Sequence, residues 1–399
     1  MLKVLTLSTL YPDATRPRLG PFVERQTREL AGHPDVALHV VSPIGLPPWP
    51  FTRHRHYRAL AQLPLHDTCE GVRVHRPRFL HLPGTGGRYD AAAMVRTLAP
   101  LLTALRREFV FDVIDAEYFF PDGPAAIALG QRFGVPVSIK ARGSDIHVWG
   151  QAQATAAQVR EAGLAADGLL AVSPALKDDM VAQGMPADRI AVHYTGVDKA
   201  LFGQTDRAAA RGSLGISGPL IASVGTLTER KGHGVLIEAL ALIPAATLVI
   251  AGHGPDRDAL GALARSVGVS DRVRFLGSIN HAAMALWLAA ADVFALATAS
   301  EGLANVWVEA LASGTPVVTT NVGGAPDVIR SHIAGRLVAR TAPAFAAAIA
   351  DILATPPNPE TVKAEAAPFD WTTNRDALYA HLTSLVTSHS LRYASDRHP

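Results

Sequence analysis

Glu301-Gly-Leu-Ala-Asn-Val-Trp-Val-Glu309-Ala-Leu-Ala-Ser-Gly314 follows an apolar run, Asp292 to Ala297, that reads as a strand. The pattern places Glu301 in a small-residue loop and Glu309 on the helix after it. At about 1.5 Å of rise per residue, the two carboxylates lie roughly 10 Å apart along the chain axis. One can reach hydroxyls at the loop mouth while the other reaches hydroxyls further along the same ligand. Between them, the N–H groups of Leu303, Ala304 and Asn305 can point at an anion, because the first amides of a helix lack internal partners. A sugar, a phosphate and a ribose in a row fit this layout.

Working outward, short apolar runs alternate with helical patterns along the whole chain. The strand candidates are Lys3–Ser8, Ala37–Val41, Val72–His75, Asp112–Asp115, Val135–Lys140, Gly168–Val172 and Ile190–His193 in the first half. In the second half they are Leu220–Val224, Thr247–Ala251, Val273–Leu276, Asp292–Ala297, Pro316–Thr320 and Arg336–Val338. Several are apolar on both faces, the mark of parallel strands covered by helices. The rhythm predicts two doubly wound α/β sheets. The boundary falls in 196–218, with a short helix at Arg207–Ser213. The segment from Phe369 reads as a terminal helix capped near Asp370, and Ser388 to Pro399 as a frayed tail.

A chain of 399 residues exceeds one core and implies two domains. No apolar run reaches the ~18–20 residues of a membrane span. Met1 to Ser8 reads as a first strand rather than a signal peptide. The single cysteine, Cys69, leaves no internal disulfide, fits a reducing cytoplasm, and reads as a loop bystander. A net charge of +2 speaks against nucleic acid as the main partner. Residues 1–110 nevertheless carry 15 Lys/Arg against 8 Asp/Glu. That excess can draw an anionic acceptor or an acidic membrane surface, or be ordinary surface charge. The stretch Ser42–Thr68 reads as a long irregular loop, rich in Pro, Arg, His and aromatic residues. It is either a surface for acceptor or lipid or a solvated insertion.

The opening segment resembles the Glu-x7-Glu motif of family-4 glycosyltransferases, retaining enzymes of the GT-B fold, and similar segments run from Val4 to about Leu382. Ser223-Val-Gly225-Thr226-Leu-Thr-Glu-Arg230-Lys231-Gly232 is similar to the family's Val-Gly-Arg-Leu…Lys-Gly stretch, where an Arg and a Lys hold a diphosphate. Lys231, a flexible cation where a helix opens, suits a leaving group that gains negative charge. Thr226 stands at the Arg position, and Arg230 can supply the charge from another angle or be a surface residue. Gly252-His253-Gly254-Pro255 resembles the family's Gly-x-Gly-Pro turn lining the nucleotide cleft. His253 reads as a loop side chain. Arg274, a charge inside an apolar strand, either contacts the base or faces water. Glu301 is implied to bind donor-sugar hydroxyls and Glu309 the ribose diol. Val322-Gly323-Gly324 reads as a structural turn.

In the first half, Leu10-Tyr-Pro-Asp…Leu19-Gly20-Pro21 resembles the family's first loop, where a Gly lies against the donor phosphate and the acceptor. In Lys140-Ala-Arg142-Gly143-Ser144-Asp145-Ile146-His147, Arg142 stands where the family usually has His. Arg cannot act as a base at neutral pH, but it can bind a phosphate or carboxylate. Asp145 remains at the motif's last position, to orient the loop or contact the acceptor. His193-Tyr-Thr-Gly196-Val-Asp198 resembles an Asn-Gly-Val-Asp turn, with Asp198 capping the next turn of chain.

The resemblance therefore implies two facing Rossmann-like domains. Residues 1–200 bind the acceptor, 201–370 bind the nucleotide sugar, and 371–399 form a crossover helix and tail. The implied reaction is retaining, metal-independent transfer of a sugar to an acceptor hydroxyl in glycan, polysaccharide or glycolipid synthesis. The catalytic candidates are Lys231, Glu301, Asp145 and Arg142. The donor-binding candidates are Gly20, Gly225, Thr226, Arg230, Lys231, Gly252, Gly254, Arg274, Leu303, Ala304, Asn305 and Glu309. No metal or resident cofactor is expected, only the nucleotide sugar as co-substrate, with a sugar or lipid-linked acceptor and a cytoplasmic site at the inner face of a membrane. The alternative is a catalytically weakened GT-B protein that binds carbohydrate or nucleotide. A dehydrogenase is disfavoured, since Ser-Thr-Leu-Tyr-Pro follows the first strand where Gly-x-Gly-x-x-Gly belongs.

Overall fold

A computed structural model describes residues 1–17 and 19–395. The chain forms two compact units, one of Met1–Thr195 with the segment from Trp371 onward, the other of Gly196–Asp370. Both are Rossmann-like α/β units, as the alternating pattern predicts, and they match the GT-B architecture that the resemblance implies.

The first unit holds strands β1 (Leu2–Leu7), β2 (Val36–Val41), β3 (Ile44–Leu46), β4 (His66–Cys69), β5 (Val72–His75), β6 (Arg78–Leu80), β7 (Val113–Ala116), β8 (Val137–Ala141), β9 (Gly168–Ala171) and β10 (Ile190–Val192). Eight of them form one sheet in the order β10-β9-β8-β7-β1-β2-β5-β4. Every pairing is parallel except β4 with β5. Strands β7, β8 and β9 are buried at every residue, as parallel strands covered on both faces must be.

Ser42–Thr68 is not the irregular loop expected from its prolines. It contains β3, a 3-10 turn at Phe51–Arg53, the helix Arg55–Gln62 and most of β4. Strand β3 pairs with β6, and Leu60 and Leu63 pack on Ile44 in a small satellite core. The apolar partners come from across the fold, so no local period announces them.

The helix Trp371–Ser395 packs on the helix Pro21–Ala31. Its Leu378 and Leu382 are buried among Val4, Leu30 and Leu170, each side chain contributing about 1.5–3 kcal/mol. Tyr379 stacks on His33 at 4.0 Å, and the Asn374 side chain donates to the Tyr194 carbonyl at 2.6 Å. The expected frayed tail from Ser388 is helical to Ser395, because Arg392 pairs with Asp167 at 2.6 Å and His389 meets the Gly134 carbonyl at 3.3 Å. Residues 396–399 of that expectation lie outside the described residues.

The second unit holds β11 (Leu220–Val224), β12 (Thr247–Ala251), β13 (Val273–Gly277), β14 (Val293–Leu296), β15 (Val317–Thr320) and β16 (Gly335–Val338). They form one parallel sheet in the order β13-β12-β11-β14-β15-β16. On one face, Leu236, Ile237 and Leu240 join Phe345, Ile349 and Ile352 over Ile221, Leu248, Val293 and Val318. The Asp198 side chain accepts the Leu201 amide at 3.2 Å, capping the next turn as expected. Among the described residues no helix is long and apolar enough to cross a membrane.

Candidate functional site

In the second unit β11 is central, with β12 on one side and β14 on the other. The chain leaves these neighbours toward opposite faces, so the loops after β11 and β14 share the switch point of the strand order, where open α/β sheets bind their ligands. Lys231 lies in the first loop and Glu301 in the second. Lys231 Nζ is 2.5 Å from Glu301 Oε1. Thr298 Oγ1 donates to the same oxygen at 2.9 Å. Arg230 stands 3.6 Å from Glu301 and donates to the Ser300 carbonyl at 2.7 Å, while the Ala299 amide donates to the Arg230 carbonyl at 2.8 Å. The structure thus brings Lys231, Arg230 and Glu301 into one cluster.

The first loop has a defined local cause. Leu227 is buried and its amide bonds the His253 carbonyl at 2.9 Å. Glu229–Lys231 then make a 3-10 turn, and the α-helix opens at His233, near Lys231 as expected. Gly232 has φ +69°, and a Cβ there would stand 2.0 Å from the Ala297 carbonyl oxygen. Only glycine lets the two loops approach so closely. Buried His233, with Nδ1 3.1 Å from Ser223 Oγ, has its pKa pushed down to about 4 by burial and is neutral at physiological pH.

Glu301 is held from behind. Gly323 has φ +51°, with a notional Cβ 1.9 Å from the Glu301 carbonyl oxygen, and the Gly324 amide bonds the Gly302 carbonyl at 2.7 Å. The helix Asn305–Ala312 begins after Ala304 with no side-chain cap. Among the described residues the amides of Leu303, Ala304 and Asn305 have no acceptor, which leaves an anion-attracting helix end. Glu309 lies in the next turn, half-buried, and its carboxylate has no hydrogen bond or ion pair among the described residues. Burial pushes its pKa up to about 8.

The remaining donor candidates divide. Gly252 and Gly254 are required by packing, since Cβ atoms there would lie 1.8 Å from the Gly225 oxygen and 2.3 Å from the Leu227 oxygen. Gly225 is not, because the nearest atoms to its notional Cβ are His233 Nε2 and Lys231 Cδ, each at 3.5 Å. Thr226 is exposed. Arg274 is exposed on edge strand β13, with no bond to the cluster among the described residues. Gly20, at φ +56° with a notional Cβ 2.2 Å from the Leu10 oxygen, holds the first turn of the other unit.

In the first unit β1 and β7 sit at the corresponding reversal of strand order. A buried charge network fills the ends of β7 and β8. Arg142 pairs with Glu117, and both side chains are at most 5% exposed. Gln26 donates to Glu117 through Nε2 and accepts from Lys140 Nζ at 2.6 Å. Lys140 Nζ also meets His193 Nδ1 at 2.5 Å, and His193 Nε2 lies 2.9 Å from the Asn374 carbonyl. Glu117 is desolvated, but Arg142 and Lys140 outweigh burial and hold its pKa low, whereas burial and the Glu117 charge push Asp115 well up. Asp145 accepts the amides of Arg142 at 2.9 Å, Gly143 at 2.7 Å and Phe119 at 3.1 Å. It is wholly buried and orders the turn. His147 pairs with Asp179 at 2.8 Å.

Sequence reading missed Lys140, Gln26 and His193 as one network, although a lysine inside a buried strand was a signal. It also missed Arg340, which donates from Nε to the Ala297 carbonyl at 2.8 Å and from Nη2 to the Glu229 carbonyl at 2.5 Å. Nothing local marks that residue. Among the described residues no group of three His, Cys, Asp or Glu is placed to hold a metal.

Residues 22–201 match the family model Glycosyltransferase Family 4, and residues 206–367 match Glycosyl transferases group 1. The chain is similar to a D-inositol 3-phosphate glycosyltransferase of Mycolicibacterium vanbaalenii, 38% identical over 231 residues that cover 53% of this chain and 51% of that protein. It thus spans about half the length of the curated relatives it matches. Among solved structures, sucrose-phosphate synthase from Thermosynechococcus elongatus superposes with a TM-score of 0.81 at 21% identity, covering 97% of this chain and all of that one. Anabaena HepE in complex with UDP gives 0.73 at 20% identity, over 96% of this chain and all of that one. These likenesses show the fold. With the two family models taking in most of its length, the chain belongs to the GT-B fold glycosyltransferases of the family 4 and group 1 type.

Proposed function

We propose that this protein transfers a sugar from a nucleotide-sugar donor to an acceptor hydroxyl, with retention of configuration. The observation that carries the reading is the Lys231–Glu301 contact at the reversal of strand order, beside an uncapped helix end. In this reading Lys231 and Arg230 meet the diphosphate as its charge grows, and the amides of Leu303, Ala304 and Asn305 share that load. Glu301 takes the sugar hydroxyls and Glu309 the ribose diol. Gly225, which no internal contact requires, leaves room for the ligand to approach the backbone. Thr226, Gly252, Gly254 and Arg274 border the nucleotide.

The acceptor lies against the first unit, at Gly20 and the Arg142–Asp145 turn. The acceptor oxygen bonds to the anomeric carbon, the bond from that carbon to the phosphate oxygen breaks, and the acceptor proton passes to the departing phosphate on the same face. No protein base is needed, so Arg142 in place of His is compatible with turnover. HepE was solved with UDP, which makes UDP-sugars the first donors to test. The D-inositol 3-phosphate glycosyltransferase similarity makes a polyol or sugar hydroxyl, free or lipid-linked, the first acceptor class. In this reading the protein works on glycan or glycolipid precursors in the cytoplasm, at the inner face of a membrane.

A second reading, a weakened transferase that only binds its ligand, is favoured by Arg142 being enclosed against Glu117 and by Thr226 lacking a cation's charge. A nucleotide-release assay across UDP-, GDP- and ADP-sugars separates the two. Release that requires acceptor supports transfer, whereas tight binding without acceptor-dependent release supports the second reading.

A further inference from the structure

Trp49 is 76% exposed and Phe51 65% exposed. Arg53, Arg55 and Arg58 come within the next turn and a half of chain, all exposed. None of the three guanidinium groups has an ion pair or hydrogen bond among the described residues. From Val36 to His66 the chain has no Asp or Glu. A depression of about 380 Å³, lined by Thr52, Arg53, Arg58, Ala61 and Gln62, opens between two of the arginines. The element is not a loose loop, because Leu60 and Leu63 root the helix Arg55–Gln62 on Ile44.

We propose that Trp49–Gln62 docks on a membrane surface bearing anionic phospholipid headgroups. The two kinds of side chain demand different things, and one partner meets both. Unpaired guanidinium groups attract phosphate, and the Arg53–Arg58 depression seats a headgroup phosphate between two forks of donors. A soluble polyanion satisfies that demand but leaves the indole and phenyl rings in water. At a bilayer the rings rest at headgroup depth while the arginines reach back to the phosphates. The proposal deepens the membrane contact named above and does not depend on sugar transfer, so a failed vesicle test leaves the transfer reading intact.

The test is sedimentation of the full chain with vesicles of phosphatidylcholine alone, and with phosphatidylglycerol making up roughly one third, the anionic share setting the surface potential. The expected result is binding only to the anionic vesicles, weakened as salt shortens the reach of the charges. Arg53→Gln/Arg55→Gln/Arg58→Gln lowers affinity at least ~10-fold, and Trp49→Ala/Phe51→Ala lowers it severalfold. Arg107→Gln/Arg132→Gln/Arg160→Gln removes the same charge from exposed sites elsewhere on this unit and changes little. Thermal melts check that each variant folds. Three results overturn the proposal: no binding to anionic vesicles, equal losses in the two arginine triples, or binding to heparin and inorganic phosphate as strong as to vesicles with no dependence on the aromatic pair.

Discussion

Lys231 and Glu301 stand 70 residues apart in the chain, yet Nζ of one lies 2.5 Å from Oε1 of the other. Their contact is a consequence of strand order. β11 and β14 are neighbours, with Ala222 opposite Phe294, so the loops leaving them share one end of the sheet. Both side chains are mostly enclosed, at 14% and 12% exposure. The lysine is therefore held in place before any ligand arrives.

Lys231→Ala and Glu301→Gln should each lower kcat by about 10²–10³, the usual loss when one preorganised charge contact is removed. The double variant should be clearly better than the product of the two losses, because the groups touch. Steady-state nucleotide release, with melting curves as a check on folding, measures this. Fully multiplicative losses would mean that the two side chains act separately.

Glu309 gives a pH signature. Burial alone raises its pKa from 4.5 to about 8. A carboxyl with a folded pKa above its unfolded one binds its proton more tightly when folded. Its contribution is therefore full below about pH 4.5 and is lost as pH rises through about 8. Asp122 has the same sign, with burial outweighing the Thr9 hydrogen bonds and raising its pKa to about 8. Glu309→Gln should flatten the decline in melting temperature between pH 5 and 9, by roughly the worth of a partly solvent-screened carboxylate, on the order of 1–2 kcal/mol at the alkaline end. An unchanged slope in both Glu309→Gln and Asp122→Asn would refute the assignment.

Arg340 fastens the carbonyls of Glu229 and Ala297, the backbones on either side of the Lys231–Glu301 contact. Two hydrogen bonds to a charged donor contribute about 1.5–3 kcal/mol each where well enclosed, and less at an exposed site such as this one. Arg340→Ala should weaken binding of UDP or GDP about tenfold, with Arg340→Lys recovering part of it. Calorimetric titration with the diphosphate and with the bare nucleoside distinguishes a displaced phosphate loop from general loosening, since only the diphosphate affinity should fall.

Arg142 and Glu117 form a nearly enclosed pair. Arg142→Ala leaves a buried carboxylate with less compensation and should destabilise the protein by about 3–5 kcal/mol. Arg142→Met/Glu117→Gln should recover much of that, because both charges leave together. Denaturant titration gives both numbers, and a double variant as unstable as the single one would show that Lys140 and Asp115 dominate the cluster.

Two glycine substitutions test the backbone argument in opposite directions. Gly232→Ala meets both a left-handed φ and the Ala297 carbonyl, so it should destabilise by at least ~1–3 kcal/mol and abolish activity. Gly212→Ala, exposed on the helix Arg207–Leu214 with open space around it, should stabilise by about 0.5–1 kcal/mol. Paired melting curves suffice.

The fold was largely legible before the structure. All thirteen strands expected from apolar runs are present, because a parallel strand covered on both faces must be apolar along its length. The Asp198 cap was legible because it depends on neighbours in sequence, and the Gly323-Gly324 turn was marked by its glycines although the backbone it packs on, at Glu301 and Gly302, is distant in the chain. β3, β4 and β6 were not, since β3 and β6 find each other only through the satellite core under Leu60 and Leu63. In the candidate site, Lys231, Glu301 and Arg230 were singled out from their loops, but neither their contact nor the part of Arg340 was legible.

Residue by residue, then, the chain alone determined which segments are strands, where glycines must turn it, and which carboxylates and cations end up in loops, all of which depend on local sterics and the period of apolar residues. Tertiary structure alone decided which of those charges meet. Arg142 is closed against Glu117, Lys140 reaches Gln26 and His193, and Arg340 spans two loops, because strand order and burial bring together groups that the sequence keeps far apart.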